Sequence, residues 1–112
     1  MAKEIVRIML DIWAGPIWGC ILDEDKQEYD YKIKSISQNE ELMRLHQEIQ
    51  DLYSSYYHFE HNGLPVYFDK EQEKADKEKM LGLLDKLISR LNEINDGSFE
   101  IDDRETDRVR HL

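Results

Sequence analysis

Short apolar runs in the first third of the chain predict β-strands. Residues 4–11 are rich in Ile, Val and Leu on both alternating faces, which predicts a central, well-covered strand. The pair Gly15-Pro16 then interrupts regular structure, because proline fixes φ and lacks an N–H group. A second strand is predicted over residues 17–22. Residues 28–33 alternate between apolar and polar side chains, which indicates a half-exposed third strand that forms a hairpin with the second.

After position 37, apolar residues recur every three or four positions, which predicts helices. Ser37 and Glu40 have the spacing of a capping box, in which each side chain accepts a hydrogen bond from an otherwise unpaired backbone N–H. Asp69 and Gln72 predict the start of a second helix in the same way. The first helix, over residues 38–55 or slightly beyond, has an apolar stripe of Leu42, Leu45, Ile49, Leu52, Tyr53 and Tyr56. The second helix has a stripe of Met80, Leu81, Leu84, Leu87, Ile88, Leu91 and Ile94.

A short strand and a charged segment close the chain. Gly97 can end the second helix, and residues 98–102 alternate around Phe99 and Ile101, which predicts a strand that returns beside the first one. Residues 103–112 carry six charged side chains and little apolar surface, so we expect a frayed tail. Because strands and helices are segregated along the chain, we predict one α+β domain over residues 1–102. Its small, mostly antiparallel sheet would contain about three N-terminal strands and the short C-terminal strand, with two long helices on one face.

Composition and charge restrict the class of protein. The chain has 112 residues, one Cys and a formal net charge of −10, with 40% hydrophobic and 36% charged residues. A single Cys excludes an intrachain disulfide framework and is typical of a reducing cytoplasm. The negative charge argues against a nucleic-acid binder that acts through a basic face. The longest uncharged run has 11 residues, fewer than the ~20 that cross a membrane, so we expect a cytoplasmic protein without a membrane segment.

The negative charge is concentrated in the turn between the second and third predicted strands. Asp23, Glu24 and Asp25 follow one another there. One interpretation is an ordinary solvated turn. The other is an acidic surface for a basic protein partner, because complementary charge speeds association and selects partners.

Two tryptophans lie on either side of the Gly15-Pro16 break. Trp13 and Trp18 would frame a binding pocket at the end of a strand, since Trp offers a large apolar face and one N–H donor. In the alternative interpretation, Trp18 packs in the core against a helix and Trp13 covers the edge of the sheet.

The densest aromatic segment follows the first predicted helix. Tyr57 and Phe59 lie there outside the helical stripe, and Tyr67 follows a few residues later. Such side chains form either a recognition surface or a loop that folds back over the sheet.

Candidate catalytic and metal-binding residues are few. His58 and His61 do not have the spacing of the helical zinc motif, and no third ligand is evident, so we predict no metal site. His46 is expected to face solvent from the first helix. Cys20 lies in an apolar run and is expected to be a buried structural thiol. Without a glycine-rich phosphate loop or paired carboxylates in an apolar setting, the sequence predicts no cofactor and no catalysis.

Residues 7–18 resemble the opening of a family of small uncharacterised bacterial proteins. Those proteins begin with a hydrophobic strand, an Asp-aromatic pair, a small residue and then Pro-Leu-Trp. Here Ile12 separates Asp11 from Trp13, and Ile17 stands in place of the usual Leu. The resemblance implies an acidic turn, then a Ser-capped helix with an aromatic end, and finally a second long helix and a short closing strand. Some members of the family are similar to the small acidic immunity proteins found beside bacterial toxins.

Three functions follow from these observations. The leading hypothesis is a non-catalytic binding protein, such as an immunity-type inhibitor, that caps a basic, toxin-like protein and does not bind a membrane. Its partner-binding residues would be Trp13, Trp18, Asp23, Glu24, Asp25, Tyr57, Phe59 and Tyr67. The alternative is a structural or assembly subunit that acts as a homodimer through residues 13–18 or the helix stripes. The third is a small enzyme that uses Cys20 and the loop His residues.

Overall fold

The computed structural model describes residues 3–59 and 65–112, without the side chains of residues 65 and 66. Within this part of the chain the protein is α+β, which confirms the predicted class. The elements in chain order are β1 (Glu4–Ile8), β2 (Ile21–Asp23), β3 (Glu28–Asp30), α1 (Lys34–Ser37), α2 (Glu40–Ser54), β4 (Tyr57–Phe59), β5 (Pro65–Phe68), α3 (Lys70–Ala75), α4 (Lys77–Ile94), β6 (Phe99–Asp103) and α5 (Thr106–Arg110).

The strands form pairs and not the single, mostly antiparallel sheet that the sequence predicts. β1 and β6 are parallel, so the last strand does return beside the first, whereas β2 with β3 and β4 with β5 are antiparallel pairs. The second edge of β1 is occupied by the segment that follows the Gly15-Pro16 break. The Met9 N–H donates to the Pro16 carbonyl at 3.0 Å, and the Trp18 N–H donates to the Arg7 carbonyl at 2.9 Å. The hairpin of β2 and β3 therefore cannot pair with β1 at this edge.

The two long helices, α2 and α4, begin at caps that differ from the predicted ones. Asn39, and not Ser37, caps α2: its side-chain oxygen accepts from the Leu42 N–H at 3.0 Å. Ser37 instead ends the short helix α1. Asp69 accepts from the Gln72 N–H at 3.0 Å as predicted, but the helix it starts is α3, which ends at Ala75, and α4 begins after Asp76. No helix in residues 3–59 and 65–112 is both long and apolar enough to cross a membrane.

The core lies between α2, α4, β1 and β6. The largest side chains that are fully buried in it are Tyr56, Phe99, Ile8, Ile17, Ile36, Leu42, Ile49, Met80, Leu84, Leu87, Leu91 and His46. Each fully buried aliphatic or aromatic side chain of this size stabilises the fold by about 1.5–3 kcal/mol. The helix stripes predicted from the sequence supply many of these residues. Ile8 and Phe99 bring the paired strands into the same core.

The segment after β6, which the sequence predicts to be frayed, is packed against the domain. It forms α5, and the side chain of Val109 within that helix is buried. The Glu105 carboxylate accepts from the Leu10 N–H at 2.9 Å, and the Lys77 ammonium donates to the Leu112 carbonyl at 3.3 Å. Glu105 is thus a charged residue of this segment that anchors it to the domain, which the number of charges alone could not indicate.

Candidate functional site

A tight turn between β1 and β2 displays the first tryptophan. Asp11 and Ala14 are joined by two backbone hydrogen bonds of 3.3 and 3.4 Å, and Gly15-Pro16, a cis peptide bond, follows. Two hydrogen bonds connect this turn to helix α2. The backbone N–H of Trp13 donates to Ser54 Oγ at 3.1 Å, and Gln50 Nε2 donates to the Gly15 carbonyl at 3.0 Å. These hydrogen bonds fix the turn in place on the fold.

Trp13 has an unusual backbone conformation for its residue type. Its φ is +59°, in the left-handed region, which costs a residue other than glycine roughly 1–2 kcal/mol. Trp13 is 65% exposed, and its ring stacks on Phe59 at 6.0 Å between ring centroids and 20° between planes. Neither burial nor backbone preference accounts for a tryptophan here. Strained residues of this kind concentrate at functional sites.

Trp13 forms one wall of a cleft of about 780 Å³, which we call the tryptophan cleft. This volume lies within the ~300–1,000 Å³ typical of ligand pockets. The cleft is lined by Trp13, Ala14, Gly15, Trp18, Gly19, Cys20, Ile21, Leu22, Glu24, Tyr29, His46, Gln47, Gln50 and Asp51. The turn, β2 and β3 supply one side of it, and α2 supplies the other.

The tryptophan cleft gathers most of the large apolar side chains that the described residues expose. Trp13, Trp18, Ile21 and Leu22 are all exposed and line it, and the exposed Phe59 stacks on Trp13. Ile21 is 68% exposed although it lies in a strand. A contiguous apolar surface of this kind marks an interaction site, because solvated surfaces of monomers expose apolar side chains singly.

Among the described residues, the two charged side chains that line the tryptophan cleft are both acidic. They are Glu24, in the turn of the β2–β3 hairpin, and Asp51, near the end of α2. The Asp51 carboxylate accepts from Gln47 Nε2 at 2.8 Å, and Gln47 in turn accepts from the Tyr29 hydroxyl. The rim of the cleft is therefore negative while its walls are apolar.

His46 forms part of the floor of the tryptophan cleft, so the prediction that it faces solvent is wrong. It lies one helical turn after Leu42 and is fully buried. Its Nδ1 accepts from the Ile17 N–H at 3.3 Å, and its ring meets Tyr29 edge-on at 5.6 Å. Burial lowers the pKa of His46 to about 4, with a partial offset from the backbone of Cys20. The ring is therefore neutral at physiological pH.

The burial of His46 predicts a stability loss in mild acid. Because its pKa falls from 6.5 to about 4 on folding, only the unfolded chain binds this proton between those values, and stability should decrease as the pH falls through that window. Urea unfolding across pH 4–7 measures this. In His46→Asn the dependence should be weaker, whereas exposed His111→Asn should behave like the unmodified chain. Equal slopes in all three proteins, or an ordinary His46 pKa in an NMR titration, would contradict the prediction.

Cys20 also lies on the floor of the cleft and is buried, as predicted. Burial, with a smaller contribution from Asp30, raises the pKa of its thiol to about 11. Its sulfur lies 3.6 Å from the Met43 sulfur. A protonated, buried thiol is a poor nucleophile. The hypothesis of an enzyme that uses Cys20 therefore gains no support from this geometry.

The structure brings together some of the predicted partner-binding residues. Trp13, Trp18 and Glu24 meet in the tryptophan cleft, so the interpretation that Trp18 packs in the core is wrong. Asp23 and Asp25 flank Glu24 in its turn but do not line the cleft. Asp23 Oδ1 accepts from the backbone N–H groups of Asp25 and Lys26, at 3.1 and 3.3 Å, and so holds that turn.

The other aromatic candidates lie in the β4–β5 hairpin. Tyr57 is half-buried and packs edge-on against Phe68 at 5.0 Å, so it belongs to an inner aromatic cluster. Tyr67 is exposed but stacks on His58 at 4.5 Å, and His58 Nε2 lies 3.0 Å from an Asp69 carboxylate oxygen. His61 lies outside the described residues. Among the described residues, no group of three or more His, Cys, Asp or Glu side chains is arranged to hold a metal ion.

Ile21, Leu22 and Asp51 are site residues that the sequence patterns did not single out. The signal for Ile21 and Leu22 was their position directly before the acidic turn, which places apolar and acidic side chains side by side in a hairpin. Asp51 gave no signal, since an acidic residue on a helix is ordinary.

Comparisons with protein-family models, with curated proteins and with solved structures found no match for this chain. The resemblance of residues 7–18 to a bacterial family therefore stays a prediction.

Proposed function

We propose that this chain is a non-catalytic binding protein that caps a basic protein partner through the tryptophan cleft. The observation that carries the proposal is the coincidence of four exposed apolar side chains with an acidic rim in one cleft. An immunity-type inhibitor of a toxin-like protein, acting in the cytoplasm, is the form that the sequence resemblance suggests.

The energetics of association support this assignment. Trp13 and Trp18 belong to the residue type that most often dominates binding energy at interfaces, and covering them removes apolar surface from water. The net charge of −10, with Glu24 and Asp51 at the rim, attracts a basic partner and steers its approach. The left-handed backbone of Trp13 is understandable if that side chain is retained for binding, at some cost to the free fold.

The proposal predicts that Trp13→Gly separates binding from stability. The lost stacking on Phe59 and the relieved backbone conformation should roughly cancel, so the unfolding free energy should change by less than about 1 kcal/mol. The affinity for the partner should fall by about 30-fold or more, as for other Trp anchors. Co-expression with the product of the neighbouring gene, followed by co-purification and calorimetry, measures the affinity. Urea unfolding measures the stability.

Matched variants localise the interface. Ile21→Ser removes an exposed apolar side chain from the tryptophan cleft and should weaken the complex. Ile5→Ser removes another exposed Ile, which lies on β1 and does not line the cleft, and should leave the complex unchanged. A stable complex that tolerates both Trp13→Gly and Ile21→Ser would refute this site. The immunity-type function would be refuted if the co-expressed product of the neighbouring gene formed no complex with this chain and this chain did not rescue the growth of cells that produce it.

A homodimer is the second candidate, because a second copy of the chain could also cover the apolar walls. Self-association through the tryptophan cleft would bring the Glu24 and Asp51 rims of two copies together, and like charges oppose this. Light scattering at high protein concentration distinguishes the two functions. A monomer supports capping of a different protein, whereas a dimer that Ile21→Ser dissociates supports the structural subunit.

A further inference from the structure

The chemistry of the tryptophan cleft defines the side chain that would anchor the partner. We propose that the cleft receives an arginine side chain of the partner, with its guanidinium group between the aromatic walls and the carboxylates of Glu24 and Asp51. This inference rests on the proposed function and names the chemical group that the cleft recognises.

Aromatic rings are the first feature that favours a cation. Trp13, Trp18 and Tyr29 all line the cleft. The face of an aromatic ring attracts a cation, most strongly for Trp, and the flat guanidinium group of arginine also stacks on such a face. The three-carbon stem of arginine would contact the apolar walls at the same time. A lysine has the charge but not the planar group.

The second feature is an acidic charge that the described residues leave unneutralised. Neither Glu24 nor Asp51 takes part in an ion pair within residues 3–59 and 65–112. Glu41, by contrast, lies 2.7 Å from Arg90 in an ion pair. Guanidinium has only donors, and carboxylates only accept when ionised, so the two sets are complementary.

The third feature is the absence of a positive charge among the described residues that line the tryptophan cleft. No Lys or Arg of residues 3–59 and 65–112 lines it. His46 is neutral at physiological pH because it is buried and its Nδ1 accepts a backbone N–H. Nothing on these cleft walls therefore opposes a cation. The cleft volume of about 780 Å³ exceeds one side chain, so apolar neighbours of the arginine would fill the remainder along Ile21 and Leu22.

Intrinsic fluorescence gives a direct test, because the two tryptophans of the chain both line the cleft. The probe is the capped tripeptide acetyl-Leu-Arg-Leu-amide, titrated into the full chain. Its counterparts carry citrulline, which has the same shape without the charge, or lysine in place of arginine. We expect a saturable change in fluorescence with the arginine peptide. The citrulline peptide should bind at least about tenfold more weakly, because it lacks the charge that strengthens hydrogen bonds to the carboxylates. Lysine should bind more weakly than arginine.

Variants on the acidic rim provide the matched control. Glu24→Gln and Asp51→Asn should each weaken the arginine peptide several-fold, while Asp85→Asn, an exposed change on α4, should leave its affinity unchanged. Circular dichroism of each variant confirms that it is folded. Equal affinity for the citrulline or lysine peptide, or no fluorescence change up to millimolar arginine peptide, would overturn the inference. If the full partner still binds through Trp13 in that case, the proposed function stands without it. If only the peptide binds, the proposed function fails and the arginine site remains.

Discussion

The Gly15→Ala variant is expected to lose at least about 3 kcal/mol of unfolding free energy, through backbone strain and steric overlap together. A Cβ atom at position 15 would lie 1.9 Å from the Met9 carbonyl oxygen and 3.1 Å from its carbonyl carbon. The φ of Gly15 is +72°, a conformation that alanine adopts only at a cost. Because the obstructing atoms belong to the backbone beside β1, the overlap cannot be relieved by turning a side chain.

Two other glycines separate the contributions to this loss. Gly97 has φ +96°, but the space that a Cβ would enter there is open to 4 Å, so Gly97→Ala should cost only the conformational part, about 1–2 kcal/mol. Gly82 lies inside α4 with open space around it, and Gly82→Ala should stabilise the protein by about 0.5–1 kcal/mol. Urea unfolding of the three variants gives the order. If Gly15→Ala is no worse than Gly97→Ala, the close approach to Met9 is not a constraint on the fold.

The loss at Gly15 extends to the tryptophan cleft. The Gly15 carbonyl accepts from Gln50 Nε2, and Trp13 belongs to the same turn. Gly15→Ala should therefore weaken partner binding together with stability, whereas Trp13→Gly should weaken binding alone. The comparison of these two variants distinguishes Gly15, which shapes the turn that forms the cleft, from Trp13, whose side chain would contact the partner.

Much of the local structure could be predicted because it depends on neighbouring residues in the sequence. The helix stripes of α2 and α4, the hairpin of β2 and β3 and the cap at Asp69 all follow from spacing and local hydrogen bonds. The pairing of strands could not be predicted in the same way. The edge of β1 is occupied by residues 16–18, and this depends on how the Gly15-Pro16 turn directs the chain.

The candidate site was predictable only where a residue type was itself a signal. Two Trp residues beside an acidic turn indicated a recognition surface, and Trp13, Trp18 and Glu24 do line one cleft. The burial of His46 could not be read from α2, because the decisive partner is the Ile17 N–H, 29 positions away in the sequence. The cleft depends on such distant contacts, and the sequence alone does not reveal them.

Arg108→Met is the second substitution for which we expect a large effect, a loss of about 3 kcal/mol of unfolding free energy. Arg108 Nε donates to Glu105 at 2.7 Å, and Arg108 Nη2 donates to Glu73 at 3.0 Å. The glutamate side chains are only 10% and 7% exposed. Although burial acts against it, hydrogen bonding to both carboxylates holds the pKa of Arg108 above its usual range. The methionine would leave two buried carboxylates without their counter-ion.

Arg90 offers a matched control, because it also binds two carboxylates but at the surface. Its partners Glu41 and Glu93 are solvent-exposed, so Arg90→Met should cost at most about 1 kcal/mol. Adding Glu73→Leu to Arg108→Met should recover part of the loss, since it removes one unpaired buried charge. Equal losses for Arg108→Met and Arg90→Met would contradict this account. The predicted difference between the two variants arises from the burial of the glutamates. The same buried contacts explain why residues 103–112 pack on the domain although they are highly charged. The Glu105 carboxylate accepts from both the Leu10 N–H and Arg108, and Arg108 also links α5 to Glu73 of α3.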